Sequence, residues 1–115
     1  MRSEERSRDA LAQIRDNIVL ARDFAAGLDA RGLAADTRTF YAVVRCLEII
    51  SEASRRLSPA VKERHRHLPW AQIASAGNVY RHAYQDVNPE AVAKVVADSL
   101  PVLLTAIEAE LSRPA

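Results

Sequence analysis

The stretch "FYAVVRCLEIISEASRRLSP", residues 40–59, decides the fold. Phe40, Val43, Leu47, Ile50, Ser54 and Leu57 recur at spacings of three and four, the seam of an amphipathic helix, and Val44, Cys46, Ile49 and Ala53 widen the stripe. A face this broad predicts a helix buried on more than one side, which requires other helices around it. Asp36 is placed to cap its start. At its far end Ser58-Pro59 reads as an N-cap followed by a proline at the first helical position, opening a short helix through about Arg66.

The same period appears on either side of this central helix. From Arg6 to Leu28 the apolar positions Leu11, Ile14, Ile18, Ala21, Ala25 and Leu28 form a single seam, and Gly27, Gly32 and the polar DARG between them end it. His65, Arg66 and His67 mark a wet connection. Leu68-Pro69-Trp70 then opens a third long segment with Trp70, Ile73, Ala74, Gly77 and Tyr80 on one face. Asn88-Pro89-Glu90 repeats the cap-plus-proline signal for a last helix carrying Val92, Val96, Leu100, Leu103 and Ile107, disturbed at Pro101 because proline removes a backbone donor. Brief connections and the absence of any strand alternation predict an all-α, up-and-down bundle of four to five helices forming one domain over residues 1–115.

Composition narrows the function. Sixteen Lys plus Arg against fifteen Asp plus Glu give a net charge of +1, so no general field draws in nucleic acid or an anionic membrane, and any RNA contact must be local. Fourteen of the sixteen cations are Arg, the better fork for phosphate and carboxylate. Cys46 stands alone inside an apolar helical pattern, which predicts a buried thiol and no disulfide. No CxxC or clustered Cys/His spacing points to a metal, and no cofactor is expected. The charged N-terminus "MRSEERSRDALAQIRD" excludes a signal peptide, and no apolar run approaches membrane-spanning length, so a cytoplasmic protein is expected.

Residues 77–84, "GNVYRHAY", concentrate the chemistry-bearing side chains. On a helix Asn78 and His82 lie four apart on one face, with Tyr84 on another flank. Pattern alone leaves two readings open, a site or the solvated end of a helix. "LPWAQIASAGNVYRHAYQDVNPEAV" (68–92), together with "YAVVRCLEIISEASRRLSP" (41–59), resembles the HepT group of the HEPN superfamily, whose members carry a PW…I…RN…H-x-Y segment after an "EA" helix. The likeness runs from the first helix to "SLPVLL" near the end. It implies a dimeric HEPN-like bundle acting as the toxin of a two-gene toxin–antitoxin module and cleaving RNA without a metal. The family motif is Arg-x4-His-x-Tyr, usually with Asn directly after the Arg. Carried over, Asn78, His82 and Tyr84 match, while the Arg position falls on Gly77. The resemblance also implies that a cognate MNT-type nucleotidyltransferase antitoxin attaches AMP to Tyr84. Glu52 in "SEAS" matches a family acidic position and could hold an Arg in the core or across a dimer.

Chemistry shows what the departure at Gly77 puts at stake. Metal-free RNA cleavage needs a group to move protons at the 2′-hydroxyl or the leaving oxygen, and imidazole suits that task, so His82 is the candidate. It also needs a cation on the phosphate as charge builds, and losing such a stabiliser costs about 100- to 1000-fold in rate. Arg81 lies about 40° round the helix from position 77 and one turn on, from where its guanidinium could lean back over Gly77. The expected catalytic set is therefore His82, Asn78 and Arg81. The alternative is a catalytically inactive bundle that serves as the nucleotidyltransferase's binding partner. Arg45, inside the broad stripe of the second helix, is the expected buried or interfacial charge, while His65 and His67 are expected in water.

Overall fold

The computed structural model describes residues 2–82 and 86–114 of the 115-residue chain; Tyr84 lies outside the described residues. All the regular structure among them is helical. Helix α1 (Arg2–Ala25) stops where Gly27 takes a left-handed φ of 78°, which lets the Leu28 N–H close on the Ala25 carbonyl at 2.9 Å. The DARG stretch does more than end it. Asp29 accepts the Gly32 N–H at 2.9 Å and caps a short extra helix, α2 (Ala30–Ala35), whose Leu33 is fully buried. A capping aspartate and a termination signal look alike in sequence, and the buried leucine decides between them.

Helix α3 (Thr37–Ser54) is the central element expected from its pattern. Asp36 caps it by accepting the Thr39 N–H at 3.1 Å and the Thr39 hydroxyl at 2.7 Å. Val43, Val44, Cys46, Leu47, Ile50 and Ala53 are all buried, and α3 packs on α1 along one side and on α5 along another. Cys46 is the buried thiol anticipated, and burial pushes its pKa up. Arg45 is not buried. Its side chain is 67% exposed, in the one outward-facing gap of the stripe, where it pairs with Glu48 at 2.8 Å.

Helix α4 (Pro59–Arg64) begins at the cap predicted, with Ser58 accepting the Val61 N–H at 3.3 Å, and ends two residues earlier than expected. Helix α5 (Trp70–His82) follows, its Trp70 Nε1 donating to the His65 carbonyl at 3.0 Å. Asn88 caps α6 (Pro89–Lys94) through the N–H groups of Glu90 and Ala91, at 2.7 and 3.2 Å. The disturbance foreseen at Pro101 takes the form of a π-helical turn, Val95–Ser99, leading straight into α7 (Leu100–Leu111). There the Leu100 N–H bonds back five residues to Val95, the arrangement by which a helix absorbs a proline that lacks its own donor.

The long helices form the bundle: α5 lies on α3, α3 on α1, and α1 on α7. Between α5 and α7 an apolar groove of about 440 Å³ remains, lined by Ile50, Ile73, Tyr80, Leu100 and Leu103 among others. At the α4 end the bundle is fastened by a buried carboxylate. Glu110, 3% exposed, accepts Arg64 Nε on both oxygens at 2.9 and 3.1 Å, with His65 Nε2 at 3.5 Å and Arg113 Nε at 3.7 Å. Burial works to raise its pKa, but the hydrogen bonds and charges of Arg64 and His65 outweigh it and hold the carboxyl below the ordinary range. His65 is thus drawn out of water to 15% exposure, contrary to expectation, while His67 is exposed as foreseen. Among the described residues no helix is long and apolar enough to cross a membrane.

Candidate active site

Helix α5 presents one face to α3 and the other to solvent, and the site is built on the outer one. Its seating depends on Gly77. The Gly77 N–H donates to Ser51 Oγ on α3 at 2.8 Å, and that hydroxyl in turn donates to the Ala74 carbonyl at 2.9 Å. Arg55 Nη2 reaches the same carbonyl at 2.9 Å. A Cβ at position 77 would lie 2.6 Å from Ser51 Oγ and 3.1 Å from Ser51 Cβ, so only glycine permits this approach of the two helices. No arginine can occupy position 77 at this crossing. Nor does Arg81 lean over Gly77 as sequence geometry suggested, because Ser51 fills that space.

Arg81 turns outward instead and gathers the other candidates. Its Nη2 donates to Asn78 Oδ1 at 2.9 Å, and its Nε donates to His82 Nε2 at 3.4 Å. Asn78 and His82, exposed on one face of α5, therefore meet through the guanidinium between them. On the α3 side Arg81 Nη1 lies 3.4 Å from Glu52 and 3.8 Å from Glu48. Glu52 does hold an arginine, as its position suggested. Glu48 escaped the sequence reading, as did Ser51. A glycine in mid-helix was the available signal for Ser51, since one inside a helical pattern usually marks a close backbone approach.

The arrangement has the parts of a phosphodiester-cleaving site. An exposed imidazole can move protons near neutral pH. A guanidinium 40% exposed can take an anion by its fork, and an amide held beside it can orient either group. Long contacts of 3.4 and 3.8 Å to two carboxylates leave Arg81 free to exchange them for a stronger anion.

A family profile described as "Ribonuclease HepT-like" matches residues 14–110. A protein of Thermococcus cleftensis named "Probable ribonuclease HepT" is 32% identical over 96 residues, covering 84% of this chain and 87% of its own. An RNase-named protein of Methanocaldococcus jannaschii is 29% identical over 104 residues, covering 88% and 95% of the two chains. Another such protein, from Caldanaerobacter subterraneus, is 36% identical over 67 residues, 58% of this chain and 57% of its own. No solved structure matches.

Proposed function

This chain belongs to the ribonuclease HepT-like family, and on that premise we propose that it is a toxin that cleaves RNA without a metal. His82 moves the proton at the attacking 2′-hydroxyl or the leaving oxygen, Arg81 neutralises the phosphate as charge builds, and Asn78 orients the guanidinium. The observation that carries this reading is the convergence of Asn78, Arg81 and His82 through Arg81, at 2.9 and 3.4 Å. The alternative, an inactive bundle, rested on the vacancy at the motif's arginine position. Gly77 buried against Ser51 gives that vacancy a structural reason, and Arg81 one turn on supplies the cation the site would lack.

The protein is proposed to act in the cytoplasm as a homodimer whose α5 helices meet, so that two sites share one cleft; Val79, 48% exposed on α5, offers an apolar contact for that pairing. Its partner is proposed to be a nucleotidyltransferase antitoxin of the MNT type, which silences it by attaching AMP to Tyr84, two residues beyond His82.

Cleavage of RNA by the purified protein in EDTA tests the chemistry. His82→Ala should abolish it and Arg81→Ala should slow it about 100- to 1000-fold. Cleavage unchanged in Arg81→Ala, with His82→Ala dead, would remove Arg81 from the mechanism. Incubation with the cognate nucleotidyltransferase and ATP, followed by intact mass, tests the modification: AMP should be gained by the native chain and by no Tyr84→Phe variant.

A further inference from the structure

Arg81 is not the only guanidinium at this site. Glu48, whose side chain is 18% exposed, gives one carboxylate oxygen to Arg45 at 2.8 Å and turns the other toward Arg81 at 3.8 Å. Two guanidinium groups fixed to the two oxygens of one carboxylate can be no more than about 9 Å apart, which spans the distance between neighbouring phosphates on a single strand. Positions 45, 48 and 52 of α3 fall within an arc of about 60°, so Arg45 lies on the same solvent-facing ridge as the carboxylates that flank Arg81.

The charges also divide unequally. Glu48 is largely enclosed and stays between its two arginines, whereas Glu52 is 54% exposed and touches Arg81 only at 3.4 Å. An incoming phosphate displaces Glu52 and leaves the Arg45–Glu48–Arg81 row with a net charge of +1. That row supplies the local attraction that the chain's overall charge of +1, spread over 115 residues, does not.

We propose that Arg45 is a second phosphate-contacting residue of the site, gripping the phosphate next to the one being cleaved, with Glu48 positioning both guanidinium groups. The inference rests on the RNA-cleaving reading of the cluster around His82 and extends it. The substrate class is single-stranded RNA carrying at least two consecutive phosphates at the site, held through its backbone and without a base requirement from this pair.

The test is equilibrium binding of a short 2′-O-methyl oligoribonucleotide, which lacks the attacking hydroxyl, across a range of salt concentrations. Arg45→Ala should weaken binding about five- to tenfold at low salt and flatten the dependence of log K on log salt by about 0.7, one phosphate contact on a single strand. Arg45→Lys should keep most of the slope. Arg66→Ala removes an equally exposed arginine, paired with Glu63 at 3.2 Å, and should bind as the wild type does. In cleavage, the preference for a trinucleoside diphosphate over a dinucleoside monophosphate, read as kcat/KM, should shrink in Arg45→Ala. A wild-type slope in a folded Arg45→Ala or Arg45→Gln variant overturns the proposal, as does an equal loss in Arg66→Ala. Wild-type binding with the expected slope but no cleavage of RNA would sink the nuclease reading and keep Arg45. Cleavage with the slope unmoved by Arg45→Ala would sink Arg45 alone, and a wild type that does not bind the strand would lose both.

Discussion

Two clusters of nearly identical composition stand in different parts of the bundle. Arg64, His65, Arg113 and Glu110 meet where α4 and α7 are fastened together, and Arg81, His82, Asn78, Glu52 and Glu48 meet on the outer face of α5. In the first a carboxylate is the centre, 3% exposed, with cations closing around it at short range. In the second a guanidinium is the centre, 40% exposed, with carboxylates to one side at longer range. Residue type therefore does not separate structure from chemistry here. Saturation does: a buried charge with all its partners present has nothing left to offer a ligand, whereas an exposed one in loose contacts exchanges partners readily.

The comparison breaks most sharply if the two clusters respond alike to substitution. At the open cluster His82→Ala should cost all measurable RNA cleavage while leaving the thermal midpoint within about 2 °C, since surface changes usually stay within about 0.5 kcal/mol. A large fall in Tm would mean that the imidazole holds the fold together. At the closed cluster the signs reverse. Glu110→Gln forfeits the two-oxygen acceptance of Arg64 and should lower stability by about 2–3 kcal/mol, or Tm on the order of 10 °C, with kcat on RNA retained. Its pH dependence sharpens the point. Because the folded Glu110 carboxyl titrates below its ordinary value of 4.5, its contribution is fully present above that pH and drains away as pH falls through the lowered value. Wild type should therefore converge on Glu110→Gln in urea unfolding below about pH 4.

Gly77 sits between the two behaviours, because it is buried yet governs where the exposed residues stand. Gly77→Ala gains helix propensity but drives a Cβ into Ser51, and the net should be a loss of about 1–2 kcal/mol with a larger proportional fall in cleavage. Ser51→Gly in the same chain removes the atoms it strikes and should recover much of both; a double variant no better than Gly77→Ala would show that the contact does not set the helix crossing. The smallest effect is expected at Glu52. Glu52→Gln removes the anion a phosphate must displace and should tighten single-strand binding about two- to fivefold, measured by fluorescence anisotropy.

What could be read in the sequence was local or periodic. The stripe of α3 announced a central helix, and Asp36, Ser58 and Asn88 announced caps, because each such signal is completed within one helical turn. The site's members were legible through resemblance, and their order along α5 fixed which of them could meet. What was lost depended on crossings between elements distant in sequence. Arg45 looked buried because its neighbours are, yet it occupies the one outward gap in their arc. His65 looked wet because it lies in a connection, but Glu110 arrives from 45 residues further along the chain. A charge three residues past Ile107, on the buried stripe of the last helix, was the overlooked signal. The vacancy at Gly77 invited a reading as loss, and only the packing of Ser51 shows a contact there.

The π turn before Pro101 has a bearing on how this chain tolerates insertion and deletion. A turn closed over five residues carries one residue more than its α-helical counterpart, so it works as a phase shifter between Val92 upstream and Leu103, Ile107 and Glu110 downstream, all of which face inward. Deleting a single residue from 95–99 and replacing Pro101 would yield a more regular helix. It would also rotate everything after it by about 100° relative to Val92, so that either the valine or the Glu110 carboxylate must swing toward water. The proline, the most helix-hostile residue in the segment, is what keeps the hydrophobic anchor and the ionic one in step.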